Sequence, residues 1–444
     1  MFSTERYQYH VEGQGSSQIA ASIEAGMLSG ALRPGQDLPP IRELARDLQV
    51  SASTVAAAYR VLRDRGLVTT RGRGGTRISL GPPLALRGTG QVPVGVRNLA
   101  DGNPDPALLP DLGTVLTRLD SRPRLYGQAP NLPALVEIAQ RQFDDDAVPT
   151  KALTVVGGAM EACERALGAH LDRGDRIAIE DPGHANLIDL ARALGLQVEP
   201  VAVDGQGPVV DALYRALRRG ARAVVITPRA QNPVGVALSA QRCAELVTAV
   251  REFPDVVVIE DDHAGRLADA PAHLLARAGL DRWAVVRSVS KAFGPDLRLA
   301  VVAGDPTTIG RVEGRRLLGT GWVSSVLQEL VVALWSDPAT DRLLETARQT
   351  YTERRIALID ALRQRGINGQ GASGLNVWVP VAEEQGPALR LLELGWAVSA
   401  GQRFRLSSPP ALRITITTLL PEESQRFADD FVLALRPDHR TRET

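Results

Sequence analysis

Two stretches of this 444-residue chain, Ala223-Val-Val-Ile226 and Val256-Val-Val-Ile259, contain no polar residue. A strand with one face on a core and the other in water alternates apolar with polar residues. Unbroken apolar runs need cover on both faces, the condition found in a mainly parallel sheet flanked by helices. Five more short runs, Leu153–Val156, Arg176–Ile179, Val198–Val203, Ala284–Ser288 and Leu299–Ala303, alternate with helical stretches. The pattern predicts an α/β domain whose ligand site lies at the carboxyl ends of its strands. The chain length predicts two or three domains. No apolar run is long enough to span a membrane and the polar amino terminus has no secretory signal, so the chain reads as soluble and cytoplasmic, with no membrane partner. Cys163 and Cys243 lack metal-ligand spacing and read as reduced core thiols, and no metal site is expected.

The basic residues are unusual in kind. Of 51 Lys and Arg, only Lys151 and Lys291 are lysine, leaving 49 arginines. A guanidinium is never deprotonated in proteins and cannot form a Schiff base, so the amine retained in Ser288-Val-Ser290-Lys291 points to chemistry that arginine cannot perform.

Net charge is zero overall but uneven along the chain. Arg60, Arg63, Arg65, Arg71, Arg73 and Arg77 face only Asp64, a local excess of five positive charges suited to phosphate. Around this cluster, Ile19, Ile23 and Met27 recur every four residues from Gln18 to Ala31, marking a first helix. A second begins after Pro39-Pro40 with Ile41, Leu44 and Leu48 on one side. A turn at Gln49-Val50-Ser51 leads to a third, capped by Ser51 or Ser53 and burying Val55, Tyr59 and Leu62. Two β-like segments, Leu67 to Thr70 and Thr76 to Ser79, flank the tip Arg71-Gly-Arg-Gly-Gly75. The order predicts a winged helix-turn-helix with the third helix in the major groove and the wing on the flanking backbone or minor groove. The stretch "LPPIRELARDLQVSASTVAAAYRVLRDRGLVTTRGRGGTRIS" resembles the GntR-type DNA-binding domain. That resemblance implies that Arg42, Ser53 and Thr54, with Arg71, Arg73, Gly75 and Thr76 in the wing, contact double-stranded DNA. Ala52 stands where that family usually carries arginine.

The Gly- and Pro-rich segment 81–97 reads as a linker, giving domains at 1–80 and 98–444, with a small C-terminal subdomain from about residue 325. In the large domain the predicted strand ends carry what a pyridoxal phosphate site requires. Gly157-Gly158-Ala159-Met160 opens a helix whose free N–H groups suit a phosphate. Asp261-Asp262 follows "VVVIE" and supplies a carboxylate for a pyridine nitrogen. Ser288 and Ser290 offer hydroxyls, Lys291 an amine, and Arg298 a guanidinium.

With "TPRAQNPVG" around Asn232, these elements resemble the fold-type I aminotransferases from roughly Asn98 onward. The resemblance implies that Lys291 forms the internal aldimine, Asp261 pairs with the pyridine nitrogen and Asn232 donates to the ring oxygen. It also implies that Ser288, Ser290, Arg298 and the backbone of Gly158, Ala159 and Met160 hold the phosphate. Tyr126, in "YGQAPNLPAL", is similar to the tyrosine that reaches the phosphate from a neighbouring subunit, and Arg413, in "ALRITIT", to the arginine that receives an α-carboxylate. His184 and His263 stand where tyrosines are common. They are expected to stack on and donate to the cofactor, with a charge that varies near neutral pH.

Joined, the halves resemble the MocR-type regulators. The resemblance implies a head-to-tail homodimer that regulates transcription and senses an amino acid, an amine or pyridoxal phosphate itself by aldimine exchange at Lys291. Two alternatives stay open: a working aminotransferase with an accessory DNA-binding domain, and a DNA-binding protein with a cofactor-free dimerisation scaffold.

Overall fold

The computed structural model describes residues 9, 11–28, 31–33, 35–64, 67–70, 75–78, 92–120, 122 and 124–436. The chain divides into two compact units, residues 1–88 with 189–196, and residues 89–188 with 197–444.

The first unit contains α1 (Ser16–Leu28), α2 (Ile41–Asp47), α3 (Ala52–Asp64), β1 (Val68–Thr70) and β2 (Thr76–Ile78). The helix-turn-helix and hairpin expected from the sequence are present, with α1 starting two residues earlier and ending three earlier than its apolar spacing suggests. Of the two candidate caps for α3 the structure selects Ser51. Its Oγ accepts from the Thr54 N–H at 3.1 Å and lies 2.7 Å from the hydroxyls of both Ser53 and Thr54. Gln49, in the turn before it, takes a left-handed conformation with φ 54°. Ile19, Ile23, Leu44, Val55, Tyr59 and Leu62 are buried together, each contributing roughly 1.5–3 kcal/mol of burial free energy. The buried Tyr59 hydroxyl donates to the Pro39 carbonyl at 2.7 Å, fixing α3 against the turn that opens α2. Segment 35–38 runs beside β2, with the Leu38 N–H donating to Thr76 O at 2.8 Å, and Arg77 forks onto Asp37 at 2.6 and 3.0 Å. This pair offsets part of the positive excess counted in the sequence.

The rest of the chain begins with β3 (Arg97–Asn98), α4 (Leu112–Leu116), α5 (Pro133–Asp145), β4 (Ala152–Val156), α6 (Ala159–His170), β5 (Arg176–Asp181), α7 (Ala185–Ala193), β6 (Gln197–Asp204), β7 (Gly207–Pro208), α8 (Val210–Arg218), β8 (Ala221–Ile226) and α9 (Ala240–Arg251). It continues through β9 (Val257–Asp261), β10 (Trp283–Ser288), α10 (Ser290–Phe293), β11 (Ala300–Gly304), α11 (Pro306–Leu317), α12 (Ser325–Ser336), α13 (Pro338–Arg363), β12 (Asn376–Pro380), α14 (Gln385–Glu393), β13 (Trp396–Ala397), β14 (Ser399–Ala400), β15 (Ala411–Thr415) and α15 (Ser424–Leu435).

All seven strands expected from the apolar runs lie in one eight-stranded sheet of order β4-β11-β10-β9-β8-β5-β6-β7. From β10 to β6 the neighbours are parallel. The sheet departs from the expectation at both edges, where β11 runs antiparallel to β10 and β4, and the short β7 runs antiparallel to β6. Only the turn holding Lys291 joins β10 to β11, and so short a connection returns the chain in the opposite direction. Apolar cover on both faces is realised by two cores. One sets α8 and α9 on Val224, Ile226 and Val258. The other runs from Val155, Val285 and Val301 through Tyr351 of α13 to Trp396, Ile414 and Phe427. Toward the C-terminus, β12, β15 and β14 form a small antiparallel sheet, while β13 pairs in parallel with β3.

Replacing the fully buried Leu62 by alanine is expected to cost about 2–5 kcal/mol. Calorimetry of the full chain should show the amino-terminal transition lowered and that of the large unit unmoved. An equal shift of both would contradict separate cores.

Candidate functional site

The carboxyl ends of β8, β9 and β10, with the turn between β4 and α6, bring most of the expected residues together. Lys291 sits in the first turn of α10, just past β10. Its Nζ donates to the Gly102 carbonyl at 2.6 Å. Burial, aided by the positive charge of Arg413, pushes its pKa down to about 8, against the pull of Asp101 and Asp261. A sizeable fraction of the amine is therefore unprotonated and nucleophilic in mildly alkaline solution.

Asp261 ends β9. Its Oδ1 is buried and has no hydrogen-bond partner. Burial, with the adjacent Asp262 charge, pushes its pKa up to about 7. An unpartnered buried carboxylate oxygen is costly, and a protonated ring nitrogen would satisfy it. Asp262 behaves oppositely. Burial opposes its ionisation, but hydrogen bonds and charge from Arg229 and Arg287 outweigh that and hold it at about 2.

Gly158 caps α6 with φ 105°. That φ strains any residue with a side chain, and the position lies close to the Arg298 guanidinium, 2.8 Å from where a Cβ would stand. The Gly157 N–H donates to the Glu161 carboxylate, pinning the turn. The Ser288 and Ser290 hydroxyls lie 3.2 Å apart. Arg298 is exposed, and among the described residues no carboxylate pairs with it. Free helix N–H groups at Gly158, Ala159 and Met160, two hydroxyls and an unpaired guanidinium fit a phosphate.

Arg413, on β15, is buried with its Nε unpartnered, and no carboxylate pairs with it among the described residues. Its Nη1 donates to Asn232 Oδ1 at 3.2 Å, another nitrogen donates to the Ala100 carbonyl, and the guanidinium lies 4.6 Å from the centroid of the Phe404 ring. Burial, then the charge of Arg403, lowers its pKa to about 10. With its oxygen turned to Arg413, the Asn232 amide has its NH2 group left to donate.

The two imidazoles differ from expectation. Burial, then the charges of His263 and Lys291, pushes His184 down to about 3, and burial with Lys291 pushes His263 down to about 4. Both are neutral throughout the neutral range, so their charge does not vary there. No local pattern signals this, because the main cause is burial in the folded chain, with the charge of Lys291 adding to it.

Tyr126 is not brought to this cluster within the chain. It is 91% exposed and its ring meets Trp322 edge-on at 5.5 Å. In the amino-terminal unit, Arg42 and Ser53 are exposed, Thr54 is half-buried and Gly75 is exposed with φ 82°. Thr76 is buried at 9% exposure, so it offers DNA little side-chain surface. Arg71 and Arg73 lie outside the described residues. Residues of the site missed in the sequence are Gly102, Arg229 and Arg287. Arg229 was visible inside "TPRAQNPVG", but only its pairing with Asp262 gives it meaning. No grouping of metal-ligating side chains occurs among the described residues, and none of their helices is long and apolar enough to cross a membrane.

Two family models match: "Aminotransferase class I and II" over residues 97–431 and "Bacterial regulatory proteins, gntR family" over residues 16–78. The vitamin B6 salvage pathway transcriptional repressor PtsJ of Salmonella typhimurium is 42% identical over 428 residues, 96% of this chain and 99% of that protein. The HTH-type pyridoxine biosynthesis transcriptional regulator PdxR of Corynebacterium glutamicum is 29% identical over 80% of this chain and 81% of its own. Among solved structures, the α-aminoadipate aminotransferase LysN of Thermus thermophilus, complexed with N-(5'-phosphopyridoxyl)-L-leucine, superposes with a TM-score of 0.68 at 24% identity, covering 77% of this chain and 92% of that one.

Because the folded protein favours protonated Asp261, its contribution to stability is complete below about pH 4 and is lost as the pH rises through about 7. Cofactor-free Asp261→Asn should therefore gain on the wild type by a few kcal/mol across that window in urea unfolding, on the order of 1.4 kcal/mol for each tenfold change in the protonation equilibrium. Parallel pH profiles would contradict a buried, unpaired carboxyl.

Proposed function

This chain belongs to the MocR-type regulators of the gntR family, in which a DNA-binding unit is joined to an aminotransferase class I and II unit, and from that premise we propose that pyridoxal phosphate bound at Lys291 is the signal it reads. The observation that carries the proposal is the unpartnered Asp261 Oδ1, set in one site with the Lys291 amine and the unpaired Arg298. That the two curated relatives are named for vitamin B6 salvage and pyridoxine biosynthesis supports the choice of signal.

When bound, pyridoxal phosphate supplies an aldehyde that reacts with primary amines and a ring that draws electrons through its nitrogen. Asp261 holds the proton on that nitrogen, a charge-assisted hydrogen bond contributing roughly 1.5–3 kcal/mol. Lys291 supplies the amine, Asn232 donates to the ring oxygen, and Gly158, Ala159, Met160, Ser288, Ser290 and Arg298 hold the phosphate. His184 stacks on the ring and His263 donates as a neutral imidazole. Lys291 would be the amine that an incoming amine replaces, and Arg413 would receive that amine's carboxylate when it has one. Tyr126, so exposed in the single chain, completes the phosphate site of a second copy in a head-to-tail dimer. Two DNA-binding units, contacting DNA through Arg42, Ser53, Thr54, Arg71, Arg73, Gly75 and the Thr76 backbone, then read paired half-sites. Occupancy changes DNA affinity only to the extent that the cofactor binds the DNA-competent arrangement with different affinity from the other.

A second reading, a working aminotransferase, draws support from Arg413, whose unpartnered Nε and lack of a carboxylate partner among the described residues suit a substrate carboxylate equally well. Steady amino-group transfer to a keto acid at about 1 s⁻¹ or faster would favour it.

Adding pyridoxal phosphate to the full chain should raise a visible absorbance band and change affinity for a DNA fragment upstream of its own gene by about tenfold. Lys291→Ala should lose both effects. A Lys291→Ala protein whose DNA binding still responds to the cofactor would defeat the proposal.

A further inference from the structure

We propose that Asp262, which no role in the cofactor site has claimed, is its positioning residue: through Arg229 and Arg287 its carboxylate ties together the three strand ends that present Asn232, Asp261 and the Ser288–Lys291 turn. The proposal rests on the reading that this site holds pyridoxal phosphate.

Successive side chains along a strand point to opposite faces. Asp261 and Asp262 therefore serve opposite sides of the sheet edge, as do Ser288 and Arg287. On the side away from the amine, Asp262 is fully buried and accepts three hydrogen bonds. Two come from Arg229 as a fork, at 2.7 and 2.8 Å, and one from Arg287 Nε at 3.0 Å. Its own N–H donates to the Val286 carbonyl at 2.9 Å. Both guanidiniums are buried, and each also faces Asp146 at the end of α5, Arg229 at 3.5 Å and Arg287 in direct contact. Arg287 lies 4.6 Å from the centroid of the Phe143 ring.

Each guanidinium belongs to the same short segment as a residue of the site. Arg229 precedes Asn232 by three residues in the loop after β8, and Arg287 immediately precedes Ser288. A planar fork fixes direction as well as distance, so holding Asp262 sets where the Asn232 amide and the Ser288 hydroxyl stand relative to the Asp261 carboxylate. Packing alone would not require two guanidiniums on one buried carboxylate, and apolar residues of similar volume fill such places at no loss of stability in other proteins.

The test uses the full chain, with pyridoxal phosphate as probe and the visible band as readout. Asp262→Asn should weaken binding by about 10–100-fold, the scale seen when groups that orient direct ligands are removed. Arg229→Gln leaves Asp262 its Arg287 contact and removes the fork that sets the loop presenting Asn232. It should shift the band and weaken binding in an otherwise wild-type chain, and add nothing in an Asn232→Ala background. Should Asp262→Asn fail to fold, this second cycle decides. Wild-type affinity in folded Asp262→Asn, or additive losses in the Arg229→Gln/Asn232→Ala pair, would overturn the proposal while leaving the cofactor reading intact. A wild-type protein with no visible band would overturn both.

Discussion

The Asp261 carboxylate lies buried at a sheet edge with one oxygen unpartnered, and the arrangement around it follows from how that charge is handled. The neighbouring Asp262 charge is spent on two guanidiniums on the other side of the edge. What remains is a site that binds a cation strongly because it lacks one. Lys291 lies within electrostatic reach, yet its amine is turned to the Gly102 carbonyl and its pKa is depressed. Acid and amine therefore both wait in forms closer to neutral than their ordinary values, and a ligand bringing a basic ring nitrogen and an aldehyde answers both.

Phosphate recognition obeys a similar logic with the sign reversed. Gly158, at φ 105°, opens α6 beside the Arg298 guanidinium, and no carboxylate among the described residues neutralises that guanidinium. Arg413 repeats the pattern deeper in the site. Among the described residues Asp261, Arg298 and Arg413 make no ion pair, in contrast to Arg229 and Arg287, whose charges are consumed within the protein.

Much of this was legible in the chain. Short apolar runs alternating with helical stretches located every long strand of the sheet, and the scarcity of lysine singled out Lys291. Polar residues at the ends of those runs gave Asp261 and Ser288, while Asn232 came from the family resemblance. The rest depends on contacts distant in sequence. Nothing local tells which of two adjacent aspartates is paired within the protein, and the Arg229 and Arg287 contacts that hold Asp262 come from segments distant in sequence. The neutral state of His184 and His263 reflects first their burial and then the charge of Lys291, which spacing does not reveal. Thr76 reads as a wing residue because it follows a glycine-rich tip, but strand pairing turns it inward.

Joining this site to a helix-turn-helix makes sense only if occupancy of the site and the DNA-binding arrangement share one equilibrium. The most direct measurement titrates pyridoxal phosphate into the full chain with labelled DNA present, following the visible band and the DNA anisotropy in one cuvette. Coincident midpoints, with DNA affinity altering cofactor affinity by the same factor, are predicted. A band that saturates while anisotropy stays flat would contradict the claim that Lys291 reports to DNA.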